Sequence, residues 1–146
     1  MRILKSILLM AVLVVATGCV CNSRDIDGQI PGAGDGGPLK DVNFAFDSYT
    51  LDESAKATLD SNYMWLSENP KAVVKVEGHC DERGTNEYNM VLGANRAKAA
   101  EDYLRAKGLE AGRSTTVSYG EEIPLDPAHN EAAWSKNRRA HFDVRN

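Results

Sequence analysis

Hydrophobic and polar positions change period along this chain in an orderly way. Val42, Phe44 and Phe46 alternate with Asn43 and Ala45, the pattern of a strand with one buried side. Leu51, Ala55, Leu59 and Leu66 then recur at helical spacing, with Thr50 and Glu53 placed as a capping box and Asn69-Pro70 as a stop. Ala72 to Gly78 (AVVKVEG) reads as a second strand, and a loop around Gly84 leads into a helix from Glu87 to Lys107, closed by Gly108. Thr115 to Tyr119 is a third strand, Asn130–Lys136 a short helix, and Ala140, Phe142 and Val144 alternate with polar residues in a fourth strand. Each strand has a single apolar side, so the pattern predicts an α/β two-layer sandwich. One four-stranded sheet carries its helices on one face.

Ahead of this region the pattern is different. Arg2 and Lys5 precede an uncharged apolar run from Ile7 to Ala16, too short to span a bilayer and suited to a signal segment. Ala16-Thr17-Gly18-Cys19 resembles a bacterial lipobox, with Ala16 where leucine is usual. The resemblance implies a signal over 1–18 and lipidation of Cys19. Two or more acyl chains hold a protein to a membrane where one holds it weakly. Val20, not aspartate, follows the cysteine, which by the same resemblance favours the outer membrane. Residues 19–39 hold four glycines and two prolines within Pro31–Pro38 and read as a leash between anchor and domain. The folded domain is expected over 40–146.

The whole chain has 17 Lys+Arg against 21 Asp+Glu, and loss of Arg2 and Lys5 leaves 15 basic residues. An acidic chain without a basic stripe gives no nucleic-acid surface. Cys21 and Cys80 would be free thiols, since a bridge between them would join leash to domain.

Candidate chemistry is concentrated in GHCDERGTNEYNMVLGANRA, residues 78–97. A nucleophile elbow and a phosphate-cradling loop are both missing, and adjacent His79 and Cys80 point to opposite sides of an extended segment, so catalysis is not expected. His79, Cys80, Asp81 and Glu82 are consecutive and lack the spacing that converges ligands on a metal; neither metal nor cofactor is expected. In the helix, Asn89, Gly93 and Arg96 fall within about 60° of one another, with Leu92 beside them. Val91, Ala94, Ala99 and Tyr103 can serve the core side. Two readings stay open on spacing alone. Arg96 could pair with Asp81 or Glu87 and steady the loop, or the glycine-relieved stripe could form a pocket whose fixed anion and cation receive a zwitterion.

The same stretch resembles the OmpA-like domain family. Its motif, roughly G-x-x-D-x-x-G-x-x-x-x-N-x-x-L-[SG]-x-x-R-A, is matched by Gly78, Asp81, Gly84, Asn89, Leu92, Gly93, Arg96 and Ala97. VNFAFDSYTL and NEAAWSKNRRAHF resemble the family's first strand and closing segment, so the likeness covers 40–146. It implies a mixed four-stranded sheet and a non-enzymatic module that grips the diaminopimelate of a peptidoglycan stem peptide. Asp81 and Arg96 would be the charged clamps, Phe46 and Asp47 would line the pocket, Leu92 would be its apolar wall, and Asn89 would support loop or ligand. For a lipid-anchored member the resemblance implies a tether from outer membrane to wall, facing the periplasm, with TolB as a protein partner. The alternative it leaves open is an anchor for a secretion or motility assembly. Cys80 departs from the threonine often found there.

Overall fold

The computed structural model describes residues 37–145. The signal segment, Cys19, Cys21 and most of the leash lie outside the described residues.

The elements follow in the order β1 (Val42–Asn43), α1 (Glu53–Glu68), β2 (Val73–His79), α2 (Asn86–Lys107), a 3-10 turn (Ala111–Arg113), β3 (Ser114–Gly120), α3 (Glu131–Asn137) and β4 (Arg139–Arg145). The sheet order is β1-β4-β2-β3. β2 runs parallel to β3 and antiparallel to β4, and β1 is antiparallel to β4, so the sheet is mixed as expected. The α2 connection is the long crossover that a parallel pair demands.

Val74, Val76, Ala140 and Phe142 point to the helical layer and pack with Leu59, Leu66, Ala97, Ala100 and Leu104 in one core. On the other face Lys75 lies 2.6 Å from Glu77 and 3.3 Å from Asp143. That alternation is the physical basis of the two-layer fold: one side of the sheet removes apolar surface from water, the other keeps its charges hydrated.

Three local expectations are corrected. The first strand is only two residues long. Phe44 is buried and its N–H donates to the Arg138 carbonyl, but Phe46 is exposed and Asp47 sits at φ 52°, turning the chain out of the sheet. The helix cap is Asp52, whose Oδ1 accepts from Ala55 N–H at 2.7 Å; Thr50 lies outside the cap, and carboxylate to amide is the stronger bond. Lastly, Val91 and Ala94 are exposed, while Leu92, Gly93, Arg96, Ala97, Ala100 and Leu104 form the buried face of α2. The polar stripe itself faces the sheet.

Gly93 explains how. A Cβ at Gly78 would stand 1.8 Å from the Gly93 carbonyl oxygen, and one at Gly93 would stand 2.4 Å from Ser118 Oγ. The groove relieved by glycine is therefore filled by β2 and β3, which lets α2 descend onto the strand ends and carries Asn89 and Arg96 to the loop beyond β2.

Candidate functional site

Beyond the C-terminal end of β2 the chain turns through Cys80 to Thr85 before α2 begins. Thr85 caps α2 by accepting from Tyr88 N–H at 3.2 Å, and Gly84, at φ 117°, makes the turn possible. Asn89 fastens this loop from inside. Its Nδ2 donates to the carbonyls of Asp81 and Arg83, both at 3.2 Å, and to the Glu121 carboxylate, and its own carbonyl receives Cys80 Sγ at 3.3 Å. These bonds tie Asn89 to the loop, while its place in the cavity wall leaves the alternative role toward a ligand open.

Arg96 is 1% exposed and pairs with neither Asp81 nor Glu87. Its guanidinium donates to carbonyls: Nε to Ser48 at 2.8 Å, Nη1 to His79 at 2.9 Å and Nη2 to Ala45 at 3.1 Å, with Cys80 Sγ at 3.4 Å from Nη1. One Nη2 hydrogen is left for a further acceptor. Arg96 thus ties the segment after β1 to the end of β2. Burial pulls its pKa below the usual arginine value, yet it stays charged.

Asp81 is also buried, at 4% exposure. Arg83 engages it twice, through Nε at 3.1 Å and Nη2 at 2.7 Å, and Arg138 Nη1 adds a third contact at 3.1 Å. Burial opposes ionisation of this carboxyl, but the bonds from the Arg83 side chain, the Arg83 N–H and Arg138 outweigh it and hold the pKa below the usual aspartate value. Arg83 in turn lies between two rings, 4.0 Å from the Phe46 centroid and 4.3 Å from that of Trp134. This stack sets the outer wall of the site.

Phe46, Asp47, Asp81, Asn89, Leu92 and Arg96 all line one cavity of about 240 Å³. The six residues expected at the pocket are therefore brought together. Cys80, Arg83, Gly84 and Tyr88 complete the lining. Tyr88 donates to Asp47, and this bond to a carboxylate raises the phenol's pKa. Arg83 and Tyr88 lay inside the motif stretch but outside its fixed positions. Arg138, 57 positions from Asp81, gave no local sign of its role. Burial raises the Cys80 thiol to about 11, so it lines the site as a neutral group. The described residues include no group of His, Cys, Asp and Glu arranged to hold a metal ion.

A mixed sheet with a motif-built cavity at its strand ends defines a chain of the OmpA family, whose profile matches residues 43–138; the protein belongs to that family. Among similar proteins, the peptidoglycan-associated lipoprotein of Pasteurella multocida is 52% identical over 99 residues, 68% of this chain and 66% of that protein. That of Haemophilus influenzae is 40% identical over 147 residues, 95% of this chain and 96% of its own. The crystal structure of the peptidoglycan-associated lipoprotein from Burkholderia pseudomallei superposes with a TM-score of 0.69 at 37% identity, covering 72% of this chain and 89% of that one. The C-terminal domain of Helicobacter pylori MotB reaches the same TM-score at 20% identity, a likeness of fold alone.

Proposed function

We propose that this chain is a lipid-anchored, non-enzymatic module that binds peptidoglycan without a covalent bond and tethers the outer membrane to the wall. The convergence of four motif residues and of Phe46 and Asp47 from the first-strand segment on one 240 Å³ cavity supports the reading. So does the similarity to proteins named peptidoglycan-associated lipoproteins. The ligand is the diaminopimelate end of a stem peptide, which carries an amine and carboxylates. Arg96 offers its remaining N–H to a carboxylate and Asp47 presents an anionic side to the amine; Asp81, whose acceptor positions are taken by Arg83 and Arg138, joins them by exchanging one of those bonds for the ligand. Leu92 and Phe46 cover the aliphatic chain. A charged hydrogen bond contributes about 1.5–3 kcal/mol, so two or three of them suit reversible capture. Cys19 carries the lipid at the periplasmic side of the outer membrane, and residues 19–39 form the leash. TolB is the protein partner within a Tol-Pal assembly that maintains the envelope during division.

The test uses variants that keep shape while removing charge. Asp81→Asn and Asp47→Asn, the latter suited to the left-handed backbone at that position, should each lose most cosedimentation with isolated sacculi while circular dichroism stays native. Full retention by both would remove the anionic side of the assigned site. Capture of TolB from a periplasmic extract separates the Tol-Pal role from a wall anchor for a secretion or motility assembly, in which TolB would be missing from the eluate.

A further inference from the structure

At the opposite end of the sheet, where β2 and β3 start and β4 finishes, lies a second cavity of about 220 Å³. Lys75, Arg113 and Arg145 line it, together with Gly112, Ser114 and Thr115, and no carboxylate side chain of the described residues is among its walls. Arg113 is the telling residue. It donates from Nε to the Ala72 carbonyl at 3.0 Å and from Nη2 to those of Leu66 and Asn69 at 3.0 and 2.8 Å. These bonds fix the guanidinium plane but supply no negative charge, and they leave Nη1 for another acceptor. The neighbouring carboxylate, Asp143, is shared between Lys75 at 3.3 Å and Arg145 at 3.4 Å, and Lys75 also meets Glu77. The half-buried Arg113 therefore keeps a positive charge that Asp143 and Glu77 do not offset.

Gly112 adds room. A Cβ there would meet nothing within 4 Å, so the backbone of the 3-10 turn is open to close approach. Arg145 is 70% exposed at its side chain and can swing over a bound group. A rigid guanidinium, a second mobile one, an ammonium and an open backbone suit a tetrahedral oxyanion, because guanidinium forks match phosphate oxygens in pairs.

We infer that this cavity is a binding site for a phosphate group, separate from the stem-peptide pocket and independent of that assignment. Two sources share the chemistry: free inorganic phosphate and the phosphodiester headgroup of an anionic lipid. Titration of the full chain, purified in a non-ionic detergent and followed by amide chemical shifts at constant ionic strength, distinguishes them. One arm adds inorganic phosphate and the other adds dihexanoyl phosphatidylglycerol. Saturable shifts at Gly112, Ser114 and Thr115 are expected in at least one arm. Response to phosphate identifies the free ion as sufficient, and response to the lipid alone identifies the headgroup. Arg145→Gln, whose side chain holds no part of the fold beyond Asp143, should weaken the response about tenfold, and Arg113→Gln should abolish it. Absence of a saturable response in both arms, or an Arg145→Gln titration equal to the native one, would overturn the site.

Discussion

Arg96 joins three pieces of backbone that no regular element connects. Its guanidinium satisfies carbonyls at Ala45, Ser48 and His79, so removing it leaves all three without that donor, the His79 carbonyl in a buried position. Arg96→Ala should therefore cost about 1–3 kcal/mol of stability, besides any loss of ligand. Urea unfolding of native and variant chains measures the difference; a change under about 1 kcal/mol would mean the carbonyls find water instead. Cys80 makes a contrasting case. At 3% exposure, with its pKa raised to about 11, it holds almost no thiolate at neutral pH. Its alkylation by iodoacetamide at pH 8 should be at least about a hundredfold slower in the folded chain than in urea, because the thiolate is the reacting form. Equal rates would contradict the buried placement.

At the level of elements, the fold was legible where local periodicity and tertiary environment agree. Val74 and Val76 alternate with Lys75 and Glu77 because one side is core and the other water, and the strand can be read from that alone. α2 could be located but not oriented. A buried arginine and a buried asparagine make a polar stripe whose direction stays open until the carbonyls that receive them are known, and those of Arg96 come from the distant segment at Ala45 and Ser48. The same limit hid Arg138 behind Asp81. Motif resemblance supplied the pocket residues that periodicity left open. It did not disclose that Arg83 and Arg138, not Arg96, neutralise Asp81. The helix–strand contact itself can be tested. With only 1.8 Å available between a Cβ at position 78 and the Gly93 carbonyl oxygen, Gly78→Ala must push α2 off β2. Overpacking of this kind costs about 1–3 kcal/mol or more, and here it also displaces Asn89 and Arg96. Both thermal stability and sacculus binding should fall together for Gly78→Ala, whereas Gly112→Ala, with open space around it, should leave stability within about 0.5 kcal/mol of native.

For the whole molecule, the response to acid follows from one buried ring. His79 closes β2 on the sheet face away from the helices, 1% exposed, its ring centroid 5.5 Å from that of Tyr119 on β3. Burial, followed by the charges of Arg139 and His141 on β4, lowers its pKa to about 3. The Ile123 backbone favours protonation but does not outweigh these, and the Glu77 carboxylate is 3.7 Å away and already 2.6 Å from Lys75. Well above pH 6.5 the ring is neutral in both folded and unfolded chains and contributes no pH dependence. As pH falls from 6.5 toward 3, the unfolded chain takes up a proton that the folded one refuses, so stability declines through that window. At pH 5 the loss from this residue is about 2 kcal/mol, before most carboxylates titrate. Asp81 acts in the same direction but lower, below its unfolded value of 3.8, since its folded pKa is depressed. Urea unfolding at pH 7 and pH 5 should show this drop in the native chain and a clearly smaller one in His79→Gln, even if the variant is less stable at both. The pH difference, not the absolute stability, isolates the ring. An equal drop in the two chains would place the acid sensitivity elsewhere and leave His79 as packing alone.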